Sequence, residues 1–245
     1  MSTVPGHLYG VGVGPGDPEL MSVKAHRLIS ATPTVAYFAA KGRSSNARKI
    51  AEHLLTDDHH EVRIEYPVTT EVLGPHQSYE DLLIGCYDEA AGRVAERLAA
   101  GHDVVVICEG DPLFYGSYMY LHNRLAGTFA ATVVPGIPSP VAGAAAIARP
   151  LVCGTEVLSV LSGVLSADDL KSALAACDAA VVIKLGRNLA KVRSAIESVD
   201  LLDRAFYVER ATGAGEVTCA LAEADAAAAP YFSMVVIPSA TAFAR

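Results

Sequence analysis

The chain has 245 residues, 51% hydrophobic and 19% charged, with no Trp and a formal net charge of −8. That length allows one large domain or two small ones, and the composition excludes a disordered polymer. The acidic balance argues against a general nucleic-acid binder and offers nothing to anionic membranes.

No uncharged apolar run reaches the roughly 18 residues of a membrane-spanning helix. Met1 to His7 lacks the basic and then apolar pattern of a signal peptide, so a cytoplasmic location is expected. Cys86, Cys108, Cys153, Cys177 and Cys219 form an odd, scattered set and read as reduced thiols, not as a disulfide framework or a zinc site.

Leu8 to Val13 reads as a buried strand. The turn from Gly14 to Glu19 follows, with Asp17 as cap and Pro18 opening a helix to about Ser30. Thr34 to Phe38 is a second strand, Ser44 to Leu55 a helix, Val62 to Tyr66 a weak strand, and Pro67 to Ser78 a loop. Between Tyr79 and Ala100, residues Leu83, Cys86, Ala90, Val94 and Leu98 fall on one helix face, closed by Gly101. Asp103 to Cys108 is a continuous β-branched run, as in a strand covered on both faces. After Glu109-Gly110-Asp111-Pro112 a helix runs to about Leu125. The strand Thr132 to Val134 and a turn-rich junction, Pro135 to Pro140, follow.

The second half repeats the alternation. Strands are expected at Glu156 to Leu161, Ala179 to Leu185, Ala205 to Glu209 and Ser233 to Ile237. A capping box at Ser166 to Asp169 opens one helix, Asn188 caps another, and Ala220 to Ala229 is a short helix or loop. The class is therefore α/β, in two lobes, 1–136 and 137–245.

The glycines from Gly10 to Gly16 lack the G-x-G-x-x-G spacing of a dinucleotide site. Asp17 would also compete with a pyrophosphate for the amides at the helix start. No P-loop sequence occurs, and the eight histidines form no metal constellation; His59 and His60 fall in a polar turn. Gly-Asp-Pro does recur, at Gly16 to Pro18 and at Gly110 to Pro112, each between a strand and a helix. Two such turns at the carboxyl ends of parallel strands line one crevice.

Leu8 to Leu20 resembles the opening block of the tetrapyrrole methylases, the S-adenosylmethionine-dependent enzymes of cobalamin and sirohaem synthesis. Cys108 to Leu121 resembles the second block, and Val134 to Ser139 the third. Val182 to Arg187, Tyr207 to Thr212 and Tyr231 to Met234 resemble the later blocks, in order, so that the resemblance spans nearly the whole chain. It implies two α/β lobes of the class III methyltransferase fold with the cofactor in the cleft between them. It also implies a C-methyltransferase acting at C20 of precorrin-2, because the second block carries the tail Tyr118 to Leu121. The alternatives are another ring carbon, the cobalt-bound substrate, a protein- or RNA-methylating branch, and a non-catalytic module for adenine ligands.

The residues implied for S-adenosylmethionine and its product S-adenosylhomocysteine are Pro15, Gly110, Asp111, Phe114, Ser139, Leu185, Ala211, Tyr231, Ser233 and Met234. Pro138 departs from the family's Ser or Thr and lacks an N–H donor, and Ser162-Gly163 stands where relatives have Pro-Gly. Methyl transfer from a sulfonium to an electron-rich carbon needs no protein nucleophile, but a base can remove the proton left on that carbon. Glu109, Asp111, Tyr115, Tyr118 and Glu209 are the candidates. The substrate's carboxylates call for local positive charge. Lys41, Arg43, Arg48 and Lys49 supply one cluster, and Lys184, Arg187 and Arg210 lie by the later blocks. A homodimer is expected from the family; no metal, nucleic acid or membrane partner is.

Overall fold

A computed structural model describes residues 4–67, 78–225 and 229–240. Most of the expected loop from Pro67 to Ser78, and part of the Ala-rich tract from Ala220 to Ala229, lie outside them. The chain divides into two compact units, Met1–Pro138 and Ser139–Arg245.

The first unit alternates strand and helix: β1 (Leu8–Gly12), α1 (Val23–Ala31), β2 (Thr34–Ala40), α2 (Asn46–Ile50), β3 (His60–Tyr66), α3 (Tyr79–Ala99), β4 (Val104–Cys108), α4 (Tyr118–Leu125) and β5 (Ala131–Val134). All five strands are parallel, in the order β3-β2-β4-β1-β5. Every residue of β4 is buried. Val104, Val106 and Cys108 pack with α3 and α4, while Val105 and Ile107 pack with α1 and α2. The β-branched run is unbroken because both faces need an apolar side chain.

The strand order sets the site. The chain leaves β1 in one direction along the sheet, toward β2, and leaves β4 in the other, toward β5. Right-handed crossovers then send α1 and α4 to opposite faces. A crevice opens at the carboxyl ends of the neighbouring strands β1 and β4, where ligands bind in open α/β sheets.

Three helices differ from the sequence reading. Pro18–Leu20 is only a 3-10 turn capped by Asp17; α1 starts afresh at Val23 with Ser22 as its cap. α2 ends at Ile50 and passes into a second 3-10 turn, Glu52–Leu54. α4 begins at Tyr118, because the backbone from Asp111 onward is spent on turns that close on the Asp111 side chain and carbonyl.

The second unit holds α5 (Ser139–Ala146), β6 (Leu158–Ser162), α6 (Ala167–Ala175), β7 (Ala179–Ile183), α7 (Leu189–Glu197), β8 (Phe206–Glu209), β9 (Val217–Ala220) and β10 (Ser233–Ile237). Its sheet is mixed, in the order β6-β7-β10-β8-β9, with β6 and β7 parallel and β10 antiparallel to both neighbours. β10 therefore starts at the edge where β7 and β8 end. Leu170 and Leu174 of α6 and Leu189, Val192 and Ile196 of α7 cover one face, and Ala142 of α5 packs in the cluster on the other. The sequence reading missed α5, whose Ser-Pro start follows a turn-rich run, and β9, whose Val217 and Thr218 are exposed and carry no apolar pattern.

Candidate functional site

Three backbone segments meet at the carboxyl ends of β1, β4 and β5. The Val13 N–H donates to the Cys108 carbonyl at 2.9 Å, and the Gly110 N–H to the Gly14 carbonyl at 2.8 Å. A Cβ on Gly12 would stand 2.5 Å from the Gly110 carbonyl oxygen, and one on Gly136 would stand 2.0 Å from the same atom. Glycine is required because backbone faces backbone. Gly14 and Gly110 also hold positive φ, 82° and 66°. The result is a side-chain-free floor at the switch point, suited to a ligand that lies close to main chain.

Asp111, a candidate for both catalysis and cofactor binding, has another task. Its Oδ1 accepts the Leu113 N–H at 2.9 Å and its Oδ2 the Gly136 N–H at 3.0 Å. Both oxygens are occupied by backbone amides, so the carboxylate clamps the turn after β4 to the turn after β5. Tyr118 is likewise drawn away from chemistry. It is fully buried, its ring fills the space a Gly10 Cβ would need, and its hydroxyl meets His122 Nδ1 at 3.1 Å. Burial pushes its phenol up to about 12.

Glu109 differs from both. It follows the last residue of β4, is partly buried, and its carboxyl lies close to the Asn46 side chain. Burial pushes it up to about 7, against the nearby Asn46 amide, which favours the charged form. Tyr115, half exposed at φ 55°, meets the Phe114 ring edge-on at 5.1 Å, while Pro15 and Phe114 are partly exposed beside the glycine floor. Sequence reasoning missed Asn46: nothing near it in the chain signals that the start of α2 lies over the end of β4.

In the second unit, most of the remaining cofactor candidates gather along one sheet edge. After β7 come Lys184 and Gly186 at φ 58° and 44°, with Leu185 buried between them. After β8 come Arg210 and Thr212 at φ 45° and 65°, with Ala211 buried between them. A left-handed backbone at three non-glycine residues, in the loops after the two strands that flank β10, is costly, and such strain concentrates at functional sites. Ser233 starts β10 at this edge, opposite Glu209, and its hydroxyl donates to the Pro230 carbonyl at 2.6 Å. Glu209 Oε1 accepts from the Tyr207 hydroxyl at 2.7 Å, which leaves Glu209 a partnered carboxylate. Met234 points the other way, its sulfur against Gly143 of α5, and Tyr231 is largely exposed. Ser139 is the first residue of α5.

The basic residues separate into two kinds. Lys41 and Arg43 are exposed just beyond β2, at the edge that carries the glycine floor. Arg48 is engaged by acids from other elements: Glu61 of β3 takes its guanidinium at 2.6 and 2.8 Å, and Glu52 lies 3.7 Å away. Arg48 is thus neutralised in place, by one acid four residues along the chain and by one from a strand it does not adjoin in sequence. Arg210 lies 3.5 Å from Glu209 and donates to the Gly215 carbonyl at 3.1 Å, whereas Lys49, Lys184 and Arg187 are exposed.

The family model described as Tetrapyrrole (Corrin/Porphyrin) Methylases matches residues 7–242. This chain belongs to the tetrapyrrole methylases. It is 47% identical over 233 residues to a precorrin-2 C(20)-methyltransferase from Sinorhizobium sp, covering 95% of each chain. It is also 48% identical to the cobalamin biosynthesis protein CobIJ of Mycobacterium tuberculosis; the match covers 95% of this chain and 46% of that protein, so this methylase spans about half its length. The crystal structure of a uroporphyrin III C-methyl transferase from Thermus thermophilus matches with a TM-score of 0.66 at 25% identity, over 98% of this chain and 96% of that one. Among the described residues of this tetrapyrrole methylase, no helix is long and apolar enough to cross a membrane.

Proposed function

We propose that this chain is an S-adenosylmethionine-dependent C-methyltransferase that methylates C20 of precorrin-2 in cobalamin biosynthesis. The observation that carries the reading is the 47% identity to a precorrin-2 C(20)-methyltransferase over 95% of both chains. The glycine floor at the switch point and the strained turns after β7 and β8 fit a cofactor held largely by main chain. When bound, that cofactor supplies an electrophilic methyl on a sulfonium.

In the first unit Pro15, Gly110 and Phe114 are the residues assigned to it, with Asp111 holding their turn. In the second unit they are Ser139, Leu185, Ala211, Tyr231, Ser233 and Met234. Lys41 and Arg43, and in the second unit Lys184, Arg187 and Arg210, are assigned to the substrate's carboxylates. The protein's contribution is orientation and exclusion of water, with positive charge placed for an acidic substrate. The reading also takes the enzyme to be a cytoplasmic homodimer; light scattering that gives the monomer mass of 25.6 kDa would contradict the dimer.

The test is calorimetry with S-adenosylhomocysteine, then anaerobic incubation with precorrin-2 and S-adenosylmethionine, read by product mass and by NMR at C20. Binding with the gain of one methyl at C20 is the expected result. A gain seen only with cobalt-precorrin-2 would move the substrate to the metal-bound form. An absence of binding would overturn the reading.

A further inference from the structure

Glu109 is a part-buried carboxyl placed by a rigid frame. The alternation along β4 puts Val105 and Ile107 on the α1 and α2 side, and Glu109 continues that row one step beyond the strand. The Asn46 side chain, on the first residue of α2, lies close to its carboxyl. The backbone on both sides is tied to the β1 loop, through Val13 to Cys108 and Gly110 to Gly14. The charged groups of the neighbouring elements have other partners: Arg48 of α2 is paired with Glu61, Asp111 with two amides, and Asp17 with the Glu19 N–H. Lys41, beyond β2, is exposed. Glu109 thus sits at the switch-point crevice, on a strand end that cannot drift, as a site residue should.

We propose that Glu109 is the base that takes the proton from the methylated ring carbon, and that Asn46 is the positioning residue that aims its carboxylate. The proposal rests on the C-methyltransferase reading above. The ring carbon attacks the methyl group; the C–CH3 bond forms as the S–CH3 bond breaks, and sulfur keeps that electron pair. The ring is left one positive charge richer. The C–H bond at the same carbon then breaks, its pair restores the ring's conjugation, and the proton passes to a Glu109 oxygen and on to solvent. A carboxyl raised to about 7 by burial holds a proton better than an exposed one, yet is half ionised at neutral pH, the poise that suits a base.

The test compares Glu109→Gln, Glu109→Asp and Asn46→Ala in the full chain. Glu109→Gln should bind S-adenosylhomocysteine within about twofold of wild type and lose about 100-fold in kcat, the scale of a missing general base. With substrate deuterated at the methylated carbon, this variant should show a larger isotope effect than wild type, because proton loss has become slow. Glu109→Asp should recover part of kcat. Asn46→Ala removes a neighbouring amide that favours the charged form, so the acid limb of kcat against pH should move to higher pH while KM holds. On the protein alone, the infrared carboxyl band absent from Glu109→Gln should titrate in wild type near pH 7. A Glu109→Gln enzyme with kcat within threefold and an unchanged isotope effect would overturn the proposal. So would a loss of turnover matched by a loss of cofactor binding. A wild-type chain that transfers no methyl would overturn the functional reading itself, a failure distinct from either.

Discussion

The carboxylate of Asp111 accepts the Gly136 N–H at 3.0 Å across 25 residues of sequence, and so fixes the turn after β4 against the turn after β5. Hydrogen bonds to a charged acceptor contribute about 1.5–3 kcal/mol each. Asp111 accepts two such bonds, so Asp111→Ala should lower stability by about 3–6 kcal/mol in urea unfolding. Asp111→Asn keeps the shape but turns one NH2 toward a backbone N–H whichever way the amide is flipped. It should recover less than half of the loss.

The glycine floor leads to a contrasting pair of results. Gly136→Ala would press a methyl to 2.0 Å from the Gly110 oxygen, with backbone on both sides and nothing free to yield. It should abolish folding or cost more than about 3 kcal/mol, beyond the usual range for overpacking. Gly85 and Gly92 lie exposed in α3 with nothing within 4 Å of a Cβ. Converting either to Ala should raise stability by about 0.5–1 kcal/mol, measured by the same urea midpoint.

Glu109 should make stability fall with rising pH. Its folded carboxyl holds a proton up to about pH 7, whereas the unfolded one loses it near 4.5. Between those values the folded state binds more protons, so stability declines as pH rises through the window, by roughly 3 kcal/mol in all. Glu109→Gln has no charge to bury. It should match wild type below pH 4.5 and exceed it by up to that amount above pH 7. Gain in stability with loss of turnover would mark a residue retained for function.

Arg48 and Glu61 give the opposite slope. The Arg48 guanidinium holds the Glu61 carboxyl below its ordinary value. Its contribution is present above about pH 4.5 and is lost as pH falls through the depressed value. Glu61→Gln should flatten the acid limb of the stability profile below about pH 4.5, read by thermal unfolding.

Lys41 and Arg43 should behave otherwise. Reversing both charges is expected to raise KM for the tetrapyrrole about tenfold or more while leaving the Kd for S-adenosylhomocysteine in place, the pattern of a lost carboxylate contact. An unchanged KM would remove them from the site.

Much of this was legible because local chemistry and fold agree. The β-branched run at Val104 to Cys108 could only be a doubly covered strand, and Ser166 caps α6 through the Asp169 N–H as its spacing required. What the sequence hid depends on which strands become neighbours. Glu61 neutralises Arg48 only because β3 lies beside β2, and Tyr118 is buried only because it meets the bare Gly10 across a helix–sheet interface. Asn46 becomes the partner of Glu109 through the same strand order. Spacing along the chain reveals caps and faces, but not the pairings that decide which charged residue remains available.

The strand order also sets a timetable. β1 has β4 and β5 as its two partners, so its second ladder cannot close until Val134 has left the ribosome. At ordinary synthesis rates that is on the order of ten seconds after β1 itself is made. Throughout that interval the five-residue strand β1 lacks its full set of partners. Its two glycines, Gly10 and Gly12, weaken its tendency to pair prematurely as a β-strand.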